Sequence, residues 1–105
     1  MLPKKAYKIT VCVPRIERVG DHDHTRYFDV GGKIYLDLDK ARKECDKLQR
    51  LVNSPGNPNH KNFDNKLAKA MSKLRELPPF SEDRSIHLRA MHTFRFYVES
   101  FDLVD

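Results

Sequence analysis

The chain has 105 residues, of which 33% are charged and 39% are hydrophobic, and its formal net charge at pH 7 is +5. This length suits one domain, and the composition excludes a fibrous protein, a membrane-spanning protein and a wholly disordered chain. We therefore expect a single domain over residues 1–105. Residues 1–5 include two lysines with no apolar run behind them, which predicts no signal peptide and a cytoplasmic location.

The first predicted element is a β-strand over residues 7–13. Side chains alternate there, and one face carries Tyr7, Ile9, Val11 and Val13. A period of two with β-branched residues is typical of a half-buried strand. Pro14 has no N–H group, so the strand either bulges there or lies at a sheet edge on that side.

A polar connection over residues 20–25 leads to a second strand region, which covers residues 26–30 and 33–36. The glycine pair between these two stretches has two interpretations. Gly31 and Gly32 form either a tight turn between two short strands or a bulge in one longer strand.

Two helices follow in the chain. Asp37 is a good N-cap, and apolar residues recur behind it at helical spacing, which predicts a helix over residues 38–52. A loop rich in Asn and Pro occupies residues 53–59. A second apolar stripe over residues 63–77, which ends before a Pro-Pro pair, predicts a second helix. Because the connection is short, we expect the helices to lie antiparallel as a hairpin.

The C-terminal stretch alternates again, and we expect at least residues 93–99 to form a strand. Phe101 and Leu103 have the opposite parity to the apolar residues before them, which predicts a bulge near Ser100. Residues 81–91 form either the start of this strand or a short helix. The order β-β-(β)-α-α-β predicts an α+β fold, with an antiparallel sheet of three to four strands and a helical hairpin packed on one face.

Positive charge is concentrated on the predicted helices. Residues 38–77 hold ten basic and five acidic residues, whereas residues 78–105 hold three basic and five acidic residues. The cations lie away from the apolar stripes, so they form either a plain solvated surface or a binding surface for phosphates or an acidic protein. The candidate binding residues on the helices are Lys40, Lys43, Lys47, Arg50, Lys66, Lys69 and Lys73.

A second candidate surface is the open face of the sheet. By parity it carries Lys8, Thr10 and Cys12 from the first strand and His87, Arg89, Met91, Thr93, Arg95 and Tyr97 from the last. Arginine and tyrosine on an exposed sheet are typical of platforms that stack single-stranded nucleic acid. The binding candidates here are Arg89, Arg95 and Tyr97, and the alternative for Tyr97 is packing at the edge of the core.

Motifs that carry chemistry are few. Residues 21–24 read Asp-His-Asp-His, a pattern that can bind Zn²⁺ or Mn²⁺, although an exposed polar loop is the simpler interpretation. We expect His92 to be a buried histidine with a partner, because it shares parity with core residues. Cys12 and Cys45 form no C-x-x-C pair, which predicts two small hydrophobic residues rather than a metal or redox pair.

The motifs of serine hydrolases, P-loop proteins, dinucleotide-binding proteins and zinc proteases do not occur in the sequence. We therefore predict a protein that is not an enzyme and that has no metal and no cofactor. A metal-dependent nuclease that uses residues 21–24 is the alternative.

Two segments resemble small proteins that bacteriophages encode. They are Gly-Lys-Ile-Tyr-Leu at residues 32–36, with the helix that follows, and Tyr-Val-Glu-Ser-Phe-Asp-Leu-Val at residues 97–104. The resemblance implies a single α+β domain without catalysis, and some such proteins block host defence or transcription by binding one macromolecule. We therefore expect an accessory protein that inhibits or modulates a host nucleic-acid-handling complex through its basic helices. Its partner is a host protein or nucleoprotein complex, or DNA or RNA bound directly, and not a membrane. A structural or oligomerising role is a further alternative.

Overall fold

The computed structural model describes residues 4–15 and 24–103. Within these ranges the elements are β1 (Lys5–Arg15), β2 (His24–Asp29), α1 (Leu38–Asn53), α2 (Phe63–Leu74), a 3₁₀ helix (Leu88–Thr93) and β3 (Arg95–Asp102). The strands form one antiparallel sheet in the order β2-β1-β3. The predicted α+β class and the antiparallel sheet are confirmed.

β1 is the central strand, and it contains Pro14. The carbonyl oxygen of Ile9 accepts a hydrogen bond from the N–H of Val30 at 2.8 Å. Odd-numbered residues of β1 therefore turn their backbone groups toward β2, and even-numbered residues turn theirs toward β3. The nitrogen of Pro14 faces the β3 side, where pairing ends with Cys12 opposite Arg95. Of the two predictions for Pro14, the sheet edge is correct, because no β3 residue needs an N–H group there.

β2 begins earlier than the sequence predicted. His24 and Thr25 were expected in a polar connection, but they belong to the strand because they pair with Arg15 and Pro14. The backbone pairing extends the strand toward its N-terminal side beyond the apolar residues that made it recognisable.

The Gly31-Gly32 pair forms a tight turn rather than a bulge. The φ angles of these glycines are 74° and 61°, in the left-handed region that glycine adopts without a steric penalty. The short strand predicted over residues 33–36 is reduced to a single bridge. In it, the N–H groups of Tyr7 and Tyr35 each donate to the other residue's carbonyl oxygen at 2.8 Å.

Both helices form where the apolar stripes predict them. The side chain of the N-cap Asp37 accepts a hydrogen bond from the N–H of Asp39 at 2.9 Å and starts α1. α2 ends at Leu74 rather than Leu77, because the chain turns ahead of the Pro-Pro pair and the N–H of Leu77 bonds to the carbonyl oxygen of Leu74 at 3.0 Å. No helix in the described part of the chain is long and apolar enough to cross a membrane.

The core lies between one face of the sheet, which we call the inner face, and the helices. Its buried side chains come from β1, from Val30 after β2, from both α-helices, from the segment that precedes β3 and from Phe96 of β3. Phe80 and Phe94 stack with ring centroids 5.8 Å apart, and Phe96 meets Phe80 edge-on at 6.3 Å. α1 packs against β1 and β3, and α2 packs against the 3₁₀ helix.

The antiparallel packing of α1 against α2 stays a prediction. The linings of two cavities favour it. Leu48 of α1 shares one cavity with Lys73 and Leu77, at the end of α2, whereas Val52 shares another with Phe63, at the start of α2. Residues farther along α1 therefore lie beside residues nearer the start of α2, as an antiparallel pair requires.

The segment before β3 differs from the prediction. Residues 88–93 form a 3₁₀ helix, and β3 begins at Arg95, so the predicted strand over residues 93–99 starts too early and the alternative of a short helix was nearer. The hydroxyl of Thr93 donates to the carbonyl oxygen of Ala90 at 2.7 Å, a local bond that favours the turn over the strand.

The predicted bulge near Ser100 is wrong. The register with β1 is continuous from Lys5 opposite Asp102 to Cys12 opposite Arg95. Phe101 has the opposite parity because it lies on the other face of the sheet, across from Ala6, which is fully buried.

Candidate binding surfaces

The seven cationic candidates on the helices are all exposed. Three of them line one groove between α1 and the C-terminal end of α2, with a volume of about 570 Å³. We call it the helix groove. Its cations are Lys47, Arg50 and Lys73, its apolar lining is Leu48, Leu51 and Leu77, and its acidic residues are Glu44 and Glu76.

The other four cations do not line the helix groove. Lys40 and Lys43 lie nearer the start of α1, and Lys66 and Lys69 lie nearer the start of α2 than Lys73 does. The structure therefore brings together two residues of the first stripe and one of the second, and it leaves the others spread along the helices.

The cations of the helix groove form only weak contacts with neighbouring residues. The Nζ atom of Lys47 lies 3.8 Å from a carboxylate oxygen of Glu44, and an exposed pair of this kind contributes little to stability. The Nε–H group of Arg50 donates to the carbonyl oxygen of Asp46 at 3.4 Å. Lys73 forms no ion pair with any residue in the described ranges. Among the described residues, no carboxylate therefore neutralises the charge of Arg50 or Lys73.

The face of the sheet away from the core, which we call the outer face, carries one cation between two carboxylates at its centre. The Nζ atom of Lys8 lies 3.2 Å from a carboxylate oxygen of Asp29 on β2 and 3.7 Å from one of Glu99 on β3. The hydrogen bond to Asp29 and the charge of Asp29, followed by those of Glu99, raise the pKa of Lys8. Lys8 thus links all three strands and is not a free cation.

Two tyrosines occupy the same outer face. Tyr97 pairs with Thr10 and Tyr27 pairs with Cys12, so the rings flank β1 from opposite sides. Tyr27 is 63% exposed, whereas Tyr97 is half-buried. Partial burial, and next the carboxylate of Glu99, raise the pKa of Tyr97. Of the sequence-based alternatives for Tyr97, the structure favours the open face, because Tyr97 is not among the side chains that pack against the core.

Arg95 lies on the outer face with Tyr97, as its parity predicts, whereas Arg89 lies outside β3 and is not part of that face. The guanidinium of Arg95 donates to the carbonyl oxygens of His92 and Phe94, at 3.0 Å and 2.9 Å, and so ends the 3₁₀ helix. Arg89 lies in that helix and lines a separate pocket with His92. His92, expected in the core, is exposed, because the helix turns its side chain outward while Met91 is buried.

Sequence reasoning missed three residues that organise these surfaces. They are Tyr27, Arg26 and Gln49. The alternation over residues 26–30 was a usable signal for Tyr27, since it places the ring on the face opposite Phe28. Arg26 and Gln49 have no local signal, because their partners lie far away in the chain.

Arg26 links β2 to residues 83–85, in the segment that precedes the 3₁₀ helix. Its guanidinium donates to the hydroxyl of Ser85 at 2.8 Å, lies 3.9 Å from a carboxylate oxygen of Asp83 and stacks over the ring of Phe28 at 5.4 Å. Hydrogen bonds from Ser85, and then the charge of Arg26, lower the pKa of Asp83.

Both interpretations of residues 21–24, an exposed polar loop and the alternative of a metal site, stay untested, because residues 21–23 lie outside the described residues. In ranges 4–15 and 24–103, no three His, Cys, Asp or Glu side chains lie together in a way that could hold a metal ion. Both cysteines are free in the structure, with Cys45 buried and Cys12 half-buried. Burial raises the pKa of the Cys45 thiol.

Comparison of the chain with protein-family models, with curated protein sequences and with solved structures finds no match. The case for a function therefore depends on the chemistry of these surfaces.

Proposed function

We propose that this chain is a non-enzymatic binding protein that docks its helix groove on an acidic segment of a partner protein. The observation that carries the proposal is the convergence of Lys47, Arg50 and Lys73 around an apolar lining. A partner of matching chemistry is amphipathic, with apolar side chains that fill the groove and carboxylates that face the three cations.

The acidic residues of the groove favour a protein partner over nucleic acid. Glu44 and Glu76 would repel phosphates, and phosphates would gain nothing from leucine side chains. A protein segment can bury Leu51 and Leu77, both half-exposed, and can pair with charges of either sign. The resemblance to small bacteriophage proteins supports a host nucleic-acid-handling complex as the source of that segment, which the protein inhibits or modulates.

Direct binding of single-stranded DNA or RNA at the outer face is a second candidate. It is supported by Tyr27 and Tyr97, which lie two strands apart and are offset by two residues along the strands. Standard strand spacings then place their Cα atoms about 12 Å apart. This separation gives each ring access to a different base. The candidate is second because Lys8 already pairs with Asp29 and Glu99, which leaves that part of the outer face without free positive charge.

The test compares two variants that lose the same charge. The groove variant carries Lys47→Ala, Arg50→Ala and Lys73→Ala, and alanine at these exposed positions favours the helix. The control variant carries Lys33→Ala, Lys61→Ala and Arg84→Ala, which are exposed cations outside the helix groove. Each protein captures partners from a host lysate with and without nuclease, and the association rate of the purified partner is then measured against salt concentration.

We expect a partner that survives nuclease treatment. Its association rate should fall about tenfold for the groove variant and stay within about twofold for the control, because rim charges act mainly on association. Equal association rates for the two variants would refute docking at the groove. A partner lost on nuclease treatment, together with binding of a single-stranded oligonucleotide that Tyr27→Ala weakens, would support the second candidate instead.

A further inference from the structure

A separate and more closed cavity lies beneath the loop that joins α1 to α2. Its volume is about 310 Å³, and we call it the loop pocket. Val52, Leu67 and Met91 line it with buried apolar side chains, and Phe63 adds a half-buried ring. Its polar side chains are Asn53, which is uncharged, and Arg89 and His92, and all three are exposed.

The volume of the loop pocket suits a small organic group. Ligand pockets begin at about 300 Å³, and an apolar cavity of about 150 Å³ holds benzene. The loop pocket thus has room for one aromatic ring or branched aliphatic group together with a short polar extension, and not for a nucleotide or a long peptide.

The polar side chains of the loop pocket favour an anion. Its lining contains no carboxylate, whereas the helix groove includes Glu44 and Glu76. Within ranges 4–15 and 24–103, neither Arg89 nor His92 forms an ion pair. A guanidinium presents two parallel N–H groups that fit the two oxygens of a carboxylate, and an imidazole N–H can donate a further bond.

We propose that the loop pocket binds an apolar carboxylate, with its ring or branched chain against Val52, Leu67 and Met91 and its carboxylate at Arg89 and His92. The proposal does not rest on the helix groove, because the two cavities have no lining residue in common. An apolar carboxylate of this kind can come from two sources. One is a free small carboxylic acid, and the other is the C-terminal residue of a partner chain that ends in an apolar side chain.

The test uses phenylacetate as the probe and follows the methyl NMR signals of Val52, Leu67 and Met91 in the full chain. The titration runs to about 10 mM, since an acid of about ten non-hydrogen atoms reaches a Kd on the order of 1 mM. We expect saturable shifts at these three methyl-bearing residues. Phenylacetamide, which has the same shape without the charge, should bind about tenfold more weakly to the wild-type protein.

Two variants separate the carboxylate contact from a general change of charge. Arg89→Gln should weaken phenylacetate binding by at least about tenfold and leave the binding of phenylacetamide unchanged. Arg84→Gln, an exposed arginine outside the loop pocket, should change the Kd by less than about twofold. An acetylated tripeptide that ends in phenylalanine distinguishes the sources. Tighter binding than phenylacetate assigns the pocket to a chain terminus, and weaker binding assigns it to a free acid.

Three results would overturn the proposal. They are the absence of saturable shifts with phenylacetate, equal Kd values for phenylacetate and phenylacetamide on the wild-type protein, and an unchanged Kd for phenylacetate on Arg89→Gln. The comparison of acid with amide needs no variant, so it remains decisive even if Arg89→Gln alters the fold.

Discussion

β3 is an edge strand of the sheet, and the side chain of Gln49 in α1 forms the backbone hydrogen bonds that a further strand beside β3 would form. The side-chain N–H of Gln49 donates to the carbonyl oxygen of Phe94 at 3.1 Å, and its side-chain oxygen accepts from the N–H of Phe96 at 2.9 Å. These backbone groups point away from β1, because β3 pairs with β1 through its odd-numbered residues. Gln49→Ala removes both bonds at once.

The expected loss of stability can be estimated from these two bonds. Each is worth about 1 kcal/mol, and alanine returns a few tenths of a kcal/mol through its better helix propensity. The net loss is about 1.5 kcal/mol out of a total of about 5–15 kcal/mol for a domain of this size. The melting temperature should fall by about 6–12 °C.

Urea denaturation followed by circular dichroism measures this loss. The matched control is Lys47→Ala on the same helix, an exposed residue whose pairing with Glu44 contributes little, and it should stay within about 0.5 kcal/mol of the wild type. A Gln49→Ala protein as stable as the control would refute the role given to Gln49. It would mean that water satisfies the backbone groups of Phe94 and Phe96 equally well.

Three further predictions concern the core, the pH dependence and the thiols. Leu74→Asp should unfold the domain, because an unpaired buried charge costs several kcal/mol, whereas Ser72→Asp on the exposed side of α2 should keep a cooperative melting curve. Asp83→Asn should be less stable than the wild type above about pH 4, and the two proteins should converge below it. The reason is that the interactions that lower the pKa of Asp83 in the folded state stabilise the protein only while the carboxylate is ionised. A difference in stability between the two proteins that persists at low pH would contradict this. Iodoacetamide should modify Cys12 before Cys45, which is buried and has a raised pKa, and mass spectrometry of the peptides would detect the opposite order.

Elements with a local period could be predicted well from the sequence. The stripe behind Asp37 specifies α1 because a helix brings its own apolar residues to one side. The segment before β3 could not be predicted in this way. Ile86, Leu88 and Ala90 alternate as a strand would, and the bond from Thr93 to Ala90 that turns the chain leaves no trace in the hydrophobic pattern.

The sequence predicts which cationic residues are exposed, but it does not predict which of them lie together on one surface. Exposure of the lysines follows from their position opposite the apolar stripes, and the structure agrees. The convergence of Arg50 with Lys73 depends on how α1 and α2 lie against each other, and helical spacing carries no information on that. Arg89 was assigned to the wrong surface for a related reason, since its parity was counted along a strand that does not extend so far.

The position of Pro14 affects how the sheet can open. Because β3 pairing ends at Cys12, the last three residues of β1 are paired by β2 alone, and Pro14 contributes no amide to that end of the sheet. Local opening there breaks few hydrogen bonds and leaves the three-stranded part intact. In hydrogen exchange, the amide of Arg15 should therefore report a low-energy fraying motion, whereas the amide of Val11, between two partner strands, should exchange only through global unfolding. The two tyrosines of the outer face pair with Thr10 and Cys12, inside the slowly exchanging region, so their spacing does not depend on the frayed end.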